Sequence, residues 1–272
     1  MKAYLVQLDI QWRDKHANFV CVRKLLAGRV LPGSLVVLPE MFATGFDVEF
    51  GGLVEGSPGQ LAETGDFLSA LARELQCVIQ GSGITPAPDG RRQNLVVAYG
   101  PEGNVLGKFQ KLHPFTYGGE HKRFEAGRDI LLYPAGDAQV APFICYDLRF
   151  PEAFRHAVRA GAQIFTVPAN WPSPKQAHWL PLLQARAIEN QCFVLGVNRA
   201  GRDKFLEYKG ESAVFGPQGE RIALAGPEER VLEADLDLEN LKRWRKTFPA
   251  LGDIHSELLG HGVSFFKPNG SS

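Results

Sequence analysis

The stretch Phe143-Ile144-Cys145-Tyr146-Asp147-Leu148-Arg149-Phe150-Pro151-Glu152 joins two kinds of sequence. Before it, Gln139 to Ile144 is an apolar run of strand length. After it, Pro151-Glu152 with Ala153, Phe154, Ala157 and Val158 reads as a helix start. The order is therefore strand, cysteine, tight turn, helix. A side chain at such a turn is lifted clear of its sheet, with backbone N–H groups beside it. Cys145 is the candidate nucleophile there, against the ordinary role of cysteine as a small apolar filler.

Working outward, residues 3–8 and 34–39 look like buried strands, and apolar positions between about Ala17 and Leu26 have helical spacing. Ser57-Pro58-Gly59-Gln60 is read as a helix N-cap ahead of a face made by Leu61, Leu68, Leu71, Ala72 and Leu75. Cys77–Ile84, Asn94–Tyr99 and Val105–Phe109 read as hairpin strands. Strand Ile164–Val167, a helix from about Trp179 to Asn190 and strand Cys192–Val197 follow. A hairpin turns at Pro217-Gln-Gly219, Arg230–Leu236 is a strand, and a short helix begins at Leu238. Strands mixed with helices throughout suggest two layers of sheet covered by helices.

The chain has 272 residues, 44% of them hydrophobic, which suits one large α/β domain. Thirty basic residues balance thirty acidic ones, so no cationic excess marks a nucleic-acid partner. No apolar run is long enough to span a membrane, and the first residues do not resemble a signal peptide. The four cysteines, Cys21, Cys77, Cys145 and Cys192, lack paired spacing, which fits a reducing cytoplasm. Seven histidines show no zinc-binding spacing, so no metal is expected.

Three further stretches are each read as placing an ionisable residue at the end of an apolar strand: Leu38-Pro39-Glu40, Lys108-Phe-Gln-Lys111-Leu-His113-Pro-Phe115, and Gly118-Gly-Glu120. A cysteine hydrolase needs a base for the thiol proton, donors for an oxyanion and an acid for the leaving nitrogen. Glu40 serves as the base if burial raises its pKa toward neutrality. Lys111 suits the oxyanion, and Glu120 holds Lys111 charged and oriented. His113 is a rival base, paired with Cys145. Arg149 either binds a substrate carboxylate or pairs with Glu152, the second being slightly favoured. Phe46, Phe115, Tyr146, Arg149 and Trp171 are the candidate substrate-binding residues.

These motifs give the chain a family resemblance over almost its whole length. It resembles the carbon–nitrogen hydrolase (nitrilase-like) superfamily, in particular its bacterial omega-amidase branch. The carriers are Leu-Pro-Glu40-Met-Phe with Thr44-Gly-Phe46, Lys111-x-His-x-Phe115, Gly-Glu120 with Ala126-Gly127, and Cys145-Tyr-Asp-Leu-Arg-Phe-Pro. Ala169-Asn-Trp171-Pro, Arg186-Ala-Ile-Glu189-Asn190-Gln and Gly196-Val-Asn198-Arg199 continue the pattern in order. The resemblance implies a four-layer α-β-β-α sandwich with Glu40 as general base, Lys111 as oxyanion stabiliser, Cys145 as nucleophile and Glu120 as a second acid. It also implies a small-molecule amide substrate, no cofactor and a homodimer. This chain has Arg202-Asp-Lys-Phe205 where the branch usually carries an Asp-Gly-Asn-Gly-like turn. Residues 1–245 are expected to form the hydrolase domain. Residues 246–272, with Phe248, Leu251, Leu258, Leu259, Phe265 and Phe266, are expected to be a tail packing at the dimer interface.

Overall fold

The structure, a computed structural model, describes residues 1–49, 51–255, 257 and 264–266. The chain opens with β1 (Lys2–Gln7), α1 (Lys15–Leu26), β2 (Leu35–Val37), α2 (Glu63–Leu75), β3 (Val78–Pro86), β4 (Arg92–Tyr99) and β5 (Val105–Gln110). It continues with β6 (Asp129–Leu131), β7 (Tyr133–Ala135), β8 (Ala138–Pro142), α3 (Pro151–Arg159), β9 (Ile164–Ala169), α4 (Trp179–Asn190) and β10 (Phe193–Asn198). The last elements are β11 (Ala200–Arg202), β12 (Glu207–Lys209), β13 (Ala213–Phe215), β14 (Arg221–Leu224), β15 (Arg230–Asp235), α5 (Leu238–Thr247) and β16 (Ser264–Phe266).

Two six-stranded sheets form, in the orders β15-β1-β2-β3-β4-β5 and β14-β13-β10-β9-β8-β7. In each, a parallel centre is flanked by antiparallel strands. Side-chain alternation sorts the layers. In the first sheet Leu5, Val37, Val96 and Phe109 point toward the second, meeting Val140 and Ile164, and Phe109 reaches Phe143 at 5.8 Å. Their neighbours Tyr4, Val6, Val36, Ile79 and Val97 face the other way, onto Val22 and Leu26 of α1 and Leu68 and Leu71 of α2. Phe154 and Val158 of α3 and Leu183 of α4 cover the second sheet. The result is the expected α-β-β-α sandwich, whose central strands read as continuous apolar runs because both faces are buried.

One helix start differs from expectation. Ser57 and Gln60 exchange backbone hydrogen bonds at 3.1 and 2.8 Å around Pro58-Gly59, with Gly59 at φ +69°. That is turn chemistry, with glycine supplying the positive φ. Helix α2 starts later, at Glu63, where Glu55 Oε2 accepts from the Thr64 N–H at 3.0 Å. The capping carboxylate thus comes from a residue distant from the helix, which local sequence does not reveal. Between Cys145 and α3 lies a 3₁₀ segment, Cys145–Arg149, and Pro151 occupies the first turn of α3. Of the apolar tail residues, Phe248 is 54% exposed, Ser264–Phe266 run parallel to β6 in the same chain, and Leu258 and Leu259 lie outside the described residues.

Candidate active site

Glu40 follows β2, Lys111 follows β5 immediately, Cys145 comes shortly after β8, and Asn170 directly follows β9. The first two belong to one sheet and the last two to the other. Their convergence at strand ends follows the usual placement of α/β sites. Two of the turns are strained in the same sense, with Met41 at φ +47° and Cys145 at φ +46°. A non-glycine residue persists in that left-handed region only where its surroundings hold it. For Cys145 the holder is Asp147. Its Oδ2 accepts from the Ile144 N–H at 2.9 Å, and its Oδ1 accepts from the His113 N–H at 2.9 Å. Lys111 is fixed through its backbone by Asn94 O at 3.0 Å and by the Gly127 N–H at 2.8 Å. A Cβ at Gly127 would come within 2.3 Å of Gln110 O, so only glycine allows that approach.

The three charged residues form one buried cluster. Lys111 Nζ lies 2.9 Å from Glu40 Oε1 and 2.8 Å from Glu120 Oε2. Asn94 Nδ2 donates to both carboxylates, at 2.8 and 3.1 Å. The Asn170 N–H donates to Glu40 Oε2 at 3.0 Å, and Asn170 Nδ2 donates to the Glu40 carbonyl at 2.6 Å. Burial pushes the Glu40 pKa up, but the Lys111 ammonium and these donors outweigh it and hold the carboxyl below its ordinary value. The expectation of a Glu40 raised toward neutrality is therefore corrected. It is Glu120 that lies above the ordinary value, through burial and the charge of Glu40, with Lys111 opposing. Lys111 is desolvated, yet its two carboxylates raise its pKa and keep it an ammonium. Burial and the nearby Glu40 charge push the Cys145 thiol well up, so the resting sulfur is protonated.

Cys145, Glu40 and Lys111 open into one cavity. Phe46, Phe115, Tyr146, Arg149 and Trp171, all expected at the substrate, line it too. Glu120 does not line it. It begins a 3₁₀ turn rather than ending a strand, and it accepts from the Phe115 N–H at 2.6 Å while gripping Lys111. His113 is turned away from the thiol. Its Nδ1 lies 2.8 Å from Asp147 Oδ1 and its ring stacks on Phe150 at 3.8 Å. The favoured Arg149–Glu152 pair is not found among the described residues. Arg149 instead lies 4.6 Å above the Trp171 ring, with His178 Nδ1 3.2 Å from its Nη1, because the 3₁₀ turn directs it into the cavity.

Sequence reasoning missed Asn94 and Asn170 as partners of the carboxylates, and Lys175, Leu206 and Tyr208 as cavity lining. Asn170 carried two usable signals, its place just beyond an apolar strand and its position in the Ala169-Asn-Trp171-Pro motif. Among the described residues no cluster of His, Cys, Asp or Glu is arranged to hold a metal ion, and no helix is long and apolar enough to cross a membrane.

A four-layer sandwich with carboxylate, ammonium and thiol gathered at the ends of its strands defines a hydrolase. The carbon-nitrogen hydrolase family matches residues 2–246, and the chain belongs to that family. It is 35% identical over 263 residues to the omega-amidase YafV of Yersinia enterocolitica, covering 95% of this chain and 98% of that protein. It is 29% identical to the 2-oxoglutaramate amidase of Bacillus subtilis, covering 93% and 97%. Among solved structures it resembles XC1258 of Xanthomonas campestris, a CN-hydrolase superfamily protein with an arsenic adduct in its active site. The TM-score is 0.84 at 32% identity, over 94% of this chain and 97% of that one.

Proposed function

We propose that this protein is an omega-amidase, releasing ammonia from the terminal amide of a small 2-oxo dicarboxylic acid monoamide such as 2-oxoglutaramate or 2-oxosuccinamate. The observation that carries the reading is the joint presence of Cys145, Glu40 and Lys111 in one cavity, in a chain whose relatives bear those names. In this reading the Cys145 sulfur bonds to the amide carbon as its proton passes to Glu40, which is already a carboxylate and so able to accept it. The carbonyl electrons move onto oxygen, where the Lys111 ammonium stabilises the charge. As the oxyanion collapses, the carbon–nitrogen bond breaks and Glu40 returns the proton to the leaving ammonia. Water, deprotonated by Glu40, then attacks the thioester, and the sulfur leaves to regain the proton as the diacid departs. Glu120 keeps Lys111 in place, and Phe46, Phe115, Tyr146, Arg149 and Trp171 surround the acyl portion.

Ammonia release across a panel of 2-oxo acid monoamides, N-carbamoyl compounds and simple amides tests the reading, together with intact-mass detection of an acyl adduct. Turnover restricted to N-carbamoyl compounds would replace the substrate class, and no adduct with any amide would overturn the mechanism.

We also propose a cytoplasmic homodimer with residues from the 246–272 tail at its interface. The half-exposed Phe248 supports this, while Ser264–Phe266 are engaged with β6 of their own subunit. Light scattering on the full chain and on one ended at Lys246 tests it, since a full-length monomer at micromolar concentration would refute the dimer.

A further inference from the structure

The turn at residues 203–206 joins β11 to β12 in a two-stranded ribbon beside the cavity. Two of its side chains reach the cavity, Leu206 and Tyr208, with the exposed Glu207 between them pointing away. The alternation is that of a strand. Tyr208 is held on two sides. The guanidinium of the fully buried Arg199 lies 4.4 Å from its ring, and its hydroxyl donates to Asp203 Oδ2 at 2.6 Å. The remaining face borders the cavity. Asp203 also fixes Leu206, because its Oδ1 accepts from the Phe205 and Leu206 N–H groups at 2.7 and 2.8 Å. The Asp203 N–H in turn donates to Leu206 O at 3.0 Å. One carboxylate thus organises the whole turn.

The phenol proton is committed to Asp203, so Tyr208 offers the cavity carbon surface rather than a free donor. Leu206 adds more of the same. An apolar wall recognises a hydrocarbon segment, and its position limits how long that segment can be.

We infer that Leu206 and Tyr208 form the wall that measures the carbon chain between the amide and the far end of the substrate, and that Asp203 is the residue that positions this wall. The inference rests on the amidase reading and assigns chain-length selection to one loop. Asp203 acts through Leu206 and Tyr208 and does not itself line the cavity.

The test is the ratio of kcat/KM for two probes differing by one methylene, 2-oxoglutaramate and 2-oxosuccinamate. Leu206→Trp, at a position 42% exposed and so tolerant of bulk, should shift that ratio toward the shorter probe by about tenfold or more, the usual worth of one methylene in an apolar pocket. Asp203→Ala should weaken discrimination, mainly through KM for the preferred probe. Asp203→Asn, which keeps an acceptor for the two N–H groups, should recover part of it. A ratio unchanged in both Leu206→Trp and Asp203→Ala would overturn the inference while leaving the amidase reading intact. A wild-type protein without turnover on any amide would overturn both.

Discussion

Glu120 Oε2 lies 2.8 Å from Lys111 Nζ, yet Glu120 does not line the cavity. It acts on the site through the ammonium it holds, through the Phe115 N–H and through Asn94, whose Nδ2 it shares with Glu40. Glu120→Gln keeps the size and one acceptor but removes the charge that balances Lys111. Turnover should fall by about tenfold to a hundredfold, less than the ~10²–10³-fold loss on removing an oxyanion donor outright. Steady-state kinetics on 2-oxoglutaramate checks this, and a loss as deep as that of Lys111→Met would give Glu120 a direct chemical role instead.

Cys145→Ala deletes the sulfur and little volume, so the protein should unfold at nearly the wild-type urea midpoint while showing no turnover and no acyl adduct. Cys77→Ala and Cys192→Ala should remain active, because both side chains are buried away from the cavity. Turnover near wild type in Cys145→Ala would end the nucleophile assignment.

Glu40→Gln cannot accept a proton, and turnover should drop by roughly 10²–10⁴-fold. Stability should respond to pH as well. Glu40 is held below its ordinary value, so its contribution is full above the free-carboxylate pKa of about 4.3 and is lost as pH falls through the lower folded value. Glu120 runs oppositely: its pKa is raised, so its contribution is present below about 4.3 and fades as pH rises through the folded value. The gap in urea midpoint between wild type and Glu40→Gln should therefore be wider near neutrality than in acid. A gap that stays constant would contradict the depressed Glu40.

Asp147→Ala should be costly for a different reason. It strips the acceptors from the Ile144 and His113 N–H groups at the strained Cys145 turn. Loss of buried hydrogen bonds to a charged group predicts about 3 kcal/mol of destabilisation. Chemical unfolding measures it, and a loss below about 1 kcal/mol would show that Asp147 is not what holds the turn.

The long central strands were legible because they are buried on both faces and appear as unbroken apolar runs, as Val78–Ile79 and Ile164–Val167 do. The three-residue strands β6, β7, β11 and β12 were not, since so short a segment shows no period. In the site, Glu40, Lys111 and Cys145 stood out because each is a reactive type in a motif of fixed order. Asn170 did not, because an amide becomes part of a site only by meeting a carboxylate, and its partner Glu40 is 130 residues away. The slightly favoured Arg149–Glu152 pair misled for a related reason: Glu152 is close in sequence, but the 3₁₀ turn carries the guanidinium to Trp171.

The hydrogen bonds from Asn170 to Glu40 cross between the two sheets, which makes the site a gauge of interlayer sliding. Layers can slip a fraction of an ångström with every strand still paired, and the far-ultraviolet circular dichroism would hardly change. The carboxylate, however, would lose donors from one layer while keeping the ammonium from its own. On warming, catalysis should fade at a lower temperature than secondary structure, and a covalent staple across the sheet–sheet seam should bring the two temperatures together.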